Sequence, residues 1–249
     1  MELPQHHRAI DGKHIALKAP AKSGTIYHNY KGFFSIILLA LVDADYKFLW
    51  VDVGANGSTS DCAVYNQSQF KEELENRTLG LPPPTPLAGD DTAIPHFVVG
   101  DDAFPLREWM MKPFSFRNLT DEERIFNYRL SRARRVVENA FGILANRFRC
   151  LLTTMFQTPE NAMQIVLATV VLHNIMRTRY PGVQNALLDR EGDDHELIPG
   201  LWRTEAVMQE MDEIRAPTGE TRRGKQQRIL LKNFLNSPQG EVPWQRHMI

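Results

Sequence analysis

Two apolar segments near the start of the chain predict a β-hairpin. Residues 33–42 form a nearly continuous apolar run that ends at Asp43, which is typical of a strand buried on both faces. Residues 46–54 form a second strand, and the acidic segment between the two segments supplies the turn. Residues 9–17 read as a strand before this hairpin, interrupted by the polar Asp11. A further short apolar strand, residues 97–99, is stopped by two aspartates.

Capping residues and apolar periodicity predict three helical regions. Small polar side chains at residues 57–61 can cap the first of them. Thr120 is followed by three acids, and a hydroxyl with a negative first turn is typical of a helix start. Pro159 follows Thr158 and suits the first position of a helix. The predicted helical bounds are about 62–76, 120–148 and 158–177.

The last quarter of the chain changes character. Among the charged residues of 189–213 the acids predominate, and among those of 222–232 all are basic. Charged segments of this kind are typical of solvated or disordered chain. We therefore predict one domain over residues 1–182 and a charged, partly disordered tail over residues 183–249, with one helix near residues 207–214.

The composition is that of an ordinary globular protein and does not by itself indicate a function. The chain has 249 residues, 43% of them hydrophobic and 24% charged, which suits an ordinary globular domain. The net charge is −1, so binding of nucleic acid requires local basic patches. The two cysteines lie outside any zinc-binding pattern and favour reduced thiols. The sequence shows neither a membrane-length apolar run nor a signal region, which predicts a cytosolic or nuclear protein.

Three carboxylates stand out by their positions. Asp11 interrupts the first strand, Asp101 follows the short strand, and Glu138 lies on the long helix. A buried acid is costly unless it is paired, solvated or bound to a metal. Acids from two strands and a helix suit magnesium, which prefers oxygen ligands. Asp11 also fits a turn or bulge residue, and Asp101 also fits a turn or helix cap.

The surroundings of Glu138 leave two interpretations open. Val137 and Phe141 belong to an apolar stripe that marks the buried side of the helix. Glu138 lies at the edge of that stripe, where it can face a site. It can equally pair with Arg134 or Arg135 on the same helix.

Six segments in order carry a family resemblance. They are residues 10–15 (IDGKHI), 27–32 (YHNYKG), 57–61 (GSTSD), 99–106 (VGDDAFPL), 127–148 and 172–174 (LHN). Together they resemble the conserved segments of Harbinger-type (PIF/Harbinger) DDE transposases and their domesticated nuclease relatives. The resemblance spans about two thirds of the chain.

The resemblance implies a fold, a site and a reaction. It implies an α/β ribonuclease H-like mixed sheet, with an antiparallel hairpin and parallel strands, flanked by helices. It implies that Asp11, Asp101 and Glu138 are catalytic ligands of a divalent cation, Mg²⁺ or Mn²⁺, in a DNA endonuclease of the nucleus or also the cytoplasm. Asp61 and His14 match family positions, and we expect them to support these ligands; a plain hydrogen-bonding role suits His14 equally. His173 and Asn174 are expected to tie a helix to its neighbours.

The chain also departs from the family pattern. Tyr30 stands where the family usually has arginine, Phe104 where it has tyrosine, and Asp102 where it has a small residue. The resemblance begins almost at Met1, so we expect no N-terminal helical DNA-binding region and consider a separate DNA-binding protein as a partner. The alternative function is an inactive, truncated or domesticated scaffold that binds DNA or protein.

Local positive charge predicts where DNA binds. Seven arginines and one acid, Glu138, lie between residues 124 and 149. Because guanidinium groups pair with phosphate in two-point geometry, we predict DNA contacts from Arg132, Arg134, Arg135 and Lys13. The alternative is a solvated helix whose arginine stems cover the core edge.

Overall fold

The structure, a computed structural model, describes residues 3–4, 6–89, 91–115, 117–204, 208–210 and 219–249. Ten strands and five α-helices lie within these residues. The strands are β1 (His6–Leu17), β2 (Phe34–Asp43), β3 (Phe48–Asn56), β4 (Thr85–Pro86), β5 (Ala93–Ile94), β6 (Phe97–Val99), β7 (Met110–Met111), β8 (Arg190–Glu191), β9 (Leu197–Ile198) and β10 (Gln209–Glu210). The helices are α1 (Asp61–Gln67), α2 (Gln69–Glu75), α3 (Asp121–Arg147), α4 (Pro159–Arg179) and α5 (Arg222–Leu235).

The central sheet is mixed, as the sequence predicted. Its strand order is β3-β2-β1-β6-β7, and β10 pairs with β1 outside this path. β2 and β3 form the antiparallel hairpin, whereas β6 runs parallel to β1 and β7 runs parallel to β6. The predicted α/β fold of the ribonuclease H-like class, with helices flanking a mixed sheet, is confirmed. Every residue from Ser35 to Val42 is buried, which explains the continuous apolar run of β2.

The helices begin where the capping residues predicted. Thr158 accepts a hydrogen bond from the backbone N–H of Asn161, and Pro159 occupies the first turn of α4. Glu123 and Thr120 exchange hydrogen bonds at the start of α3, the reciprocal pattern of a capping box. The predicted helix over residues 62–76 is two helices, because Ser68 ends α1 and caps α2 by accepting from Lys71 N–H.

The chain divides into two compact units that interleave along the sequence. Unit 1 comprises residues 1–10, 65–135 and 213–249, and unit 2 comprises residues 11–64 and 136–212. The boundary passes through β1 and through α3, so each of these elements contributes to both units. Neither unit coincides with the predicted domain of residues 1–182, and that boundary stays a prediction.

Helix α5 packs into the core of unit 1, within the segment that the sequence predicted as a charged, partly disordered tail. Leu231 and Leu235 of α5 are fully buried in a cluster with Phe97 and Phe126. Gln227 lies four residues before Leu231 and is buried too, so one face of α5 points inward at helical spacing. The basic residues of α5 surround this narrow face, which is why the sequence suggested a solvated segment.

The predicted helix near residues 207–214 does not form where the structure describes that region. Gln209 and Glu210 form β10 instead, pairing antiparallel with His14 and Lys13. A strand that joins a sheet satisfies its backbone groups there, and this outweighs the weak helical preference of a short segment. Residues 207 and 211–214 of the prediction lie outside the described residues.

In unit 2, α4 holds the turn of the β-hairpin by its backbone. His173 donates from Nε2 to the carbonyl of Tyr46 at 2.8 Å. Asn174 accepts from Phe48 N–H at 2.9 Å and donates to Phe48 C=O at 2.8 Å. Arg177 donates to the carbonyl of Asp45 at 2.9 Å. The prediction that His173 and Asn174 tie a helix to its neighbours is confirmed.

The remaining compositional expectations concern cysteines and membranes. Cys62 and Cys150 are both unbridged thiols, as predicted. Within the part of the chain that the structure describes, the helices are all too short or too polar to cross a bilayer.

Candidate metal centre

The register of two parallel strands sets the positions of Asp11 and Asp101. Ala9 of β1 lies opposite Val99 of β6. Asp11 stands two residues beyond Ala9 in β1, and Asp101 stands two residues beyond Val99, just past the end of β6. Residues that lie equally far beyond a paired position on two parallel strands remain neighbours. The two aspartates therefore lie at the same end of the β1–β6 pairing. A side-chain oxygen of Asp101 accepts from Ala103 N–H at 2.9 Å, which fixes the turn that follows β6.

Asp61 joins these two acids. One carboxylate oxygen from each of Asp11, Asp61 and Asp101 lies within 4.8 Å of the other two. Asp61 is the first residue of α1 and is only 4% exposed. Its carboxylate is therefore close enough to be a candidate ligand, and the supporting role that the sequence predicted for Asp61 stays a prediction.

Lys13 provides the counter-charge for Asp11. The two residues are two apart in β1, so both side chains leave the same face of the strand. Lys13 Nζ lies 3.3 Å from the Asp11 carboxylate, and both side chains are almost fully buried. The ammonium also lies 5.7 Å from the ring centroid of Phe141, within range of a cation–π contact. Lys13 is therefore a counter-ion of Asp11, and its predicted contact with DNA stays a prediction.

Asp102 has its own basic partner. Lys112 Nζ lies 3.4 Å from the Asp102 carboxylate and donates to the Asp102 carbonyl at 3.1 Å. Lys112 is 5% exposed. The extra negative charge beside Asp101, a departure from the family pattern, is therefore compensated within the same unit.

His14 occupies a polar cluster on the opposite face of β1 from Asp11 and Lys13. Its Nδ1 lies 2.9 Å from the hydroxyl of Ser35, which also accepts from the side-chain amide of Asn29 at 3.0 Å. All three residues are buried. A structural hydrogen bond thus accounts for His14, and its predicted support of the ligands stays a prediction.

Glu138 contacts Arg203, a residue that lies far from it in the sequence. Its Oε2 lies 3.2 Å from a terminal nitrogen of Arg203. The same nitrogen lies 2.7 Å from Asp189, and Nε of Arg203 lies 2.9 and 3.0 Å from the two Asp189 oxygens. These hydrogen bonds to Asp189 raise the pKa of the Arg203 guanidinium, so it stays charged. Among the described residues, the close acidic group contains Asp11, Asp61 and Asp101 and does not include Glu138.

Comparison with known proteins decides the family. Residues 10–174, well over half of the chain, match the family described as DDE superfamily endonuclease. The chain belongs to this family. It is 32% identical over 169 residues to the human protein named "Putative nuclease HARBI1", and 31% identical over 177 residues to the Arabidopsis thaliana "Protein ALP1-like". These alignments cover 67% and 70% of this chain but 44% and 43% of the relatives, so the chain spans about half the length of the curated relatives it matches. No solved structure gives a significant match.

The family match ends before the segment that contacts Glu138. Asn139, next to Glu138 on α3, accepts from the Asp189 backbone N–H at 3.0 Å and from the Trp202 indole N–H at 2.9 Å. The Trp202 ring packs where a side chain at Gly142 would otherwise stand. Residues 188–204 are therefore docked on α3 through Asn139 and Gly142.

Gly142→Ala is expected to lower the free energy of unfolding by about 1–3 kcal/mol, the usual cost of overpacking a tight contact. The new methyl would collide with the indole of Trp202, which is 8% exposed and hydrogen-bonded. This cost outweighs the gain of up to about 1 kcal/mol from replacing a helical glycine with alanine. Urea unfolding measures the change. Gly182→Ala, where a methyl group meets no atom, serves as the control, and a Gly142→Ala protein at least as stable as wild type would contradict the packing.

The arginines of α3 fall into distinct environments. Arg129 is buried and donates to Gly240 C=O and the Gln245 side chain, and burial lowers its pKa. Arg132 lies over the Tyr128 ring, 5.6 Å from its centroid. Arg134 helps to line a cavity of about 660 Å³ in unit 1. Arg135 is half-buried. The predicted DNA contacts of Arg132, Arg134 and Arg135 stay predictions.

Sequence reasoning missed Arg203 and Asp189, the partners of Glu138. They lie 65 and 51 residues beyond Glu138, in a segment with little periodicity. No motif or spacing signal in that segment marks them. Asp61 carried a signal, since it ends the GSTSD segment that resembles the family, but its sequence neighbours suggested only a helix cap.

Proposed function

We propose that this chain is a divalent-metal-dependent DNA endonuclease that hydrolyses phosphodiester bonds. The observation that carries the proposal is the group of three carboxylates from Asp11, Asp61 and Asp101 in a member of the DDE superfamily endonuclease family. The nuclease names of the relatives support it. A two-metal mechanism, with Glu138 as a further ligand, is part of this proposal.

The residues present fit a hard divalent cation. Mg²⁺ and Mn²⁺ prefer oxygen ligands, and Mg²⁺ binds them at about 2.1 Å, so two ligands of one ion lie at most about 4.2 Å apart. The three carboxylate oxygens lie within 4.8 Å of one another, which small side-chain rotations bring into range. Asp11 and Asp61 are about 95% buried. Several negative charges held together away from water are costly unless cations compensate them, and Lys13 supplies only one.

Each residue of the site has a defined task in the proposed reaction. Asp11, Asp61 and Asp101 would hold the cation, which supplies an activated water and stabilises the leaving oxygen. Lys13 would balance one negative charge of the ligand group, and its contact at 3.3 Å fixes the direction of the Asp11 carboxylate. Lys112 compensates Asp102, so that this charge does not disturb Asp101.

The arginine-rich part of α3 is the proposed DNA interface. Asp101 lines the same 660 Å³ cavity as Arg124 and Arg134. Arginines beside a candidate ligand suit the phosphate backbone, and such contacts are independent of base sequence and weaken with salt. Because the proposed substrate is DNA, the proposed location is the nucleus, or the nucleus and also the cytoplasm. A separate protein that recognises the DNA target remains a proposed partner.

The scaffold alternative loses one of its two supports. It rested partly on the charge of Asp102, and Lys112 compensates that charge. A scaffold would bind DNA with no response to metal, whereas the endonuclease requires the cation for cleavage.

Nicking of supercoiled plasmid DNA tests the proposal. We expect nicking with millimolar Mn²⁺ or Mg²⁺, loss of nicking on chelation with EDTA, and recovery when excess Mn²⁺ is returned. Mn²⁺ should also raise the melting temperature, because a ligand that binds only the folded state stabilises it. A protein that binds DNA but neither melts higher with Mn²⁺ nor nicks would favour the scaffold instead.

A further inference from the structure

Arg203 connects two acids of unit 2 that lie far apart in the sequence. Its guanidinium contacts both oxygens of Asp189 and one oxygen of Glu138. A single terminal nitrogen lies 2.7 Å from Asp189 and 3.2 Å from Glu138. The planar fork of arginine suits such a bridge, since its donors point in fixed directions.

Asp189 holds Arg203 in place. Its side chain is 1% exposed, and it also accepts from the backbone N–H of Gly200 at 2.8 Å. The Arg203 guanidinium lies 4.3 Å from the ring centroid of Trp202, which restricts it from a second direction. Arg203 is therefore anchored independently of Glu138, whose side chain is 19% exposed and contacts it through one carboxylate oxygen.

The segment that carries Asp189 and Arg203 packs on the part of α3 that contains Glu138. Asn139 bonds to the Asp189 backbone and to Trp202, and the Trp202 ring covers Gly142. Glu138 and Gly142 are one helical turn apart, so they share a face of α3. The segment that carries Arg203 and the helix that carries Glu138 consequently form one hydrogen-bonded assembly within unit 2.

We propose that Arg203 is a positioning residue that directs the carboxylate of Glu138 for metal binding. The proposal rests on the proposed function, in which Glu138 is a further ligand of the cation. Hydrogen bonds from fixed outer groups orient ligand carboxylates, and losing one typically costs 10–100-fold in metal affinity or activity. The role falls to residues beyond the segment that matches the family, in a part of the chain that sequence reasoning assigned to a tail.

Mn²⁺ binding to the full chain, measured by isothermal titration calorimetry without DNA, tests this role. Arg203→Lys keeps the positive charge but loses the fork, and it is expected to weaken Mn²⁺ binding about tenfold. Asp189→Asn removes the charged anchor of Arg203 and provides a second variant with the same expected direction. Arg190→Lys, an exposed arginine next to Asp189, is the matched control and should bind Mn²⁺ as wild type does.

A double variant separates positioning from a general loss of structure. If Arg203 acts through Glu138, adding Arg203→Lys to Glu138→Gln should change the Mn²⁺ affinity no further, because the carboxylate that Arg203 would direct is already gone. An equal tenfold loss in both backgrounds would overturn the proposal, and so would unchanged or tighter binding by Arg203→Lys alone. A wild-type chain that binds no Mn²⁺ would overturn the proposed function as well, whereas wild-type binding with an indifferent Arg203→Lys overturns the positioning role alone.

Discussion

Replacing Asp11 with asparagine is expected to reduce Mn²⁺-dependent nicking of supercoiled DNA by roughly a hundredfold or more, the upper end of what loss of a supporting group costs a metal site. Asparagine keeps the size of the side chain and one oxygen but removes the charge. Asp11 is nearly buried beside Lys13 at 3.3 Å, so the variant would leave a net positive group where the cation should bind. Nicking rates over a range of Mn²⁺ concentrations measure the loss.

The control for this result must distinguish lost chemistry from lost folding. Removing one partner of a buried ion pair commonly destabilises a protein by about 3–5 kcal/mol, so melting curves accompany the rates. Asp101→Asn gives a second test that leaves both partners of the Asp11–Lys13 pair in place. Asp101 is also only half-buried. Asp193→Asn, at an exposed aspartate, should nick like wild type. Folded Asp11→Asn and Asp101→Asn proteins that nick at the wild-type rate would refute the assignment of the acids.

The sequence predicted the central sheet well because its signals are local. β2 appears within a residue of the predicted segment, since every side chain from Ser35 to Val42 is buried and apolar residues fill nearly all of it. The start of α3 followed from the Thr120 cap and the acids after it. Such patterns depend on neighbours within one or two turns of chain, so a single sequence carries them.

The candidate site was predicted only in part because its assembly is non-local. Asp11 and Asp101 were predicted from their positions within and just after strands. The parallel register of Ala9 with Val99 sets the two aspartates beside each other. The approach of Asp61 to both depends on the path of the chain after β3, which no spacing rule gives. Glu138 was predicted from its position on the long helix and from the family resemblance, and its role stays a prediction. Its partner Arg203 lies 65 residues later, where charge patterning suggested solvent.

Helix α5 shows how charge can hide a core element. Its inward face consists of Gly224, Gln227, Arg228, Leu231 and Leu235, and only two of these are large apolar residues. Arg228 is buried because its guanidinium stacks 4.2 Å from the Phe114 ring centroid and pairs with Glu220 at 3.5 Å. From composition alone such an arginine is expected in solvent. Its aliphatic stem and its contact with the Phe114 ring place it in the core instead.

Acid is expected to destabilise the protein through His173. Its ring is 0% exposed, and this burial, opposed by the hydrogen bond to Tyr46 and reinforced by the charges of Arg177 and Arg147, lowers the pKa of His173 to about 4. Nε2 donates to Tyr46, and within the described structure the buried Nδ1 has no hydrogen-bond partner. Protonation would therefore place a new N–H and a charge where nothing accepts them.

The sign of the effect follows from comparing the folded and unfolded states. The unfolded chain binds the proton near pH 6.5, but the folded protein binds it only near pH 4. Between these values the unfolded state carries more protons, so the free energy of unfolding falls as pH falls through this window. The full loss is about 3 kcal/mol. Urea unfolding at intervals between pH 7.5 and pH 4 measures it.

His173→Gln isolates this contribution, because glutamine can retain a donor towards the Tyr46 carbonyl but does not titrate. The variant should lose about 3 kcal/mol less than wild type between pH 6.5 and pH 4, whatever its stability at neutral pH. His247→Gln, at an exposed histidine, should leave the wild-type slope in place because its ring stays in solvent. If His173→Gln kept the full wild-type slope, the acid sensitivity would arise from other residues. Acid would then not act through the contact of His173 on α4 with the hairpin turn.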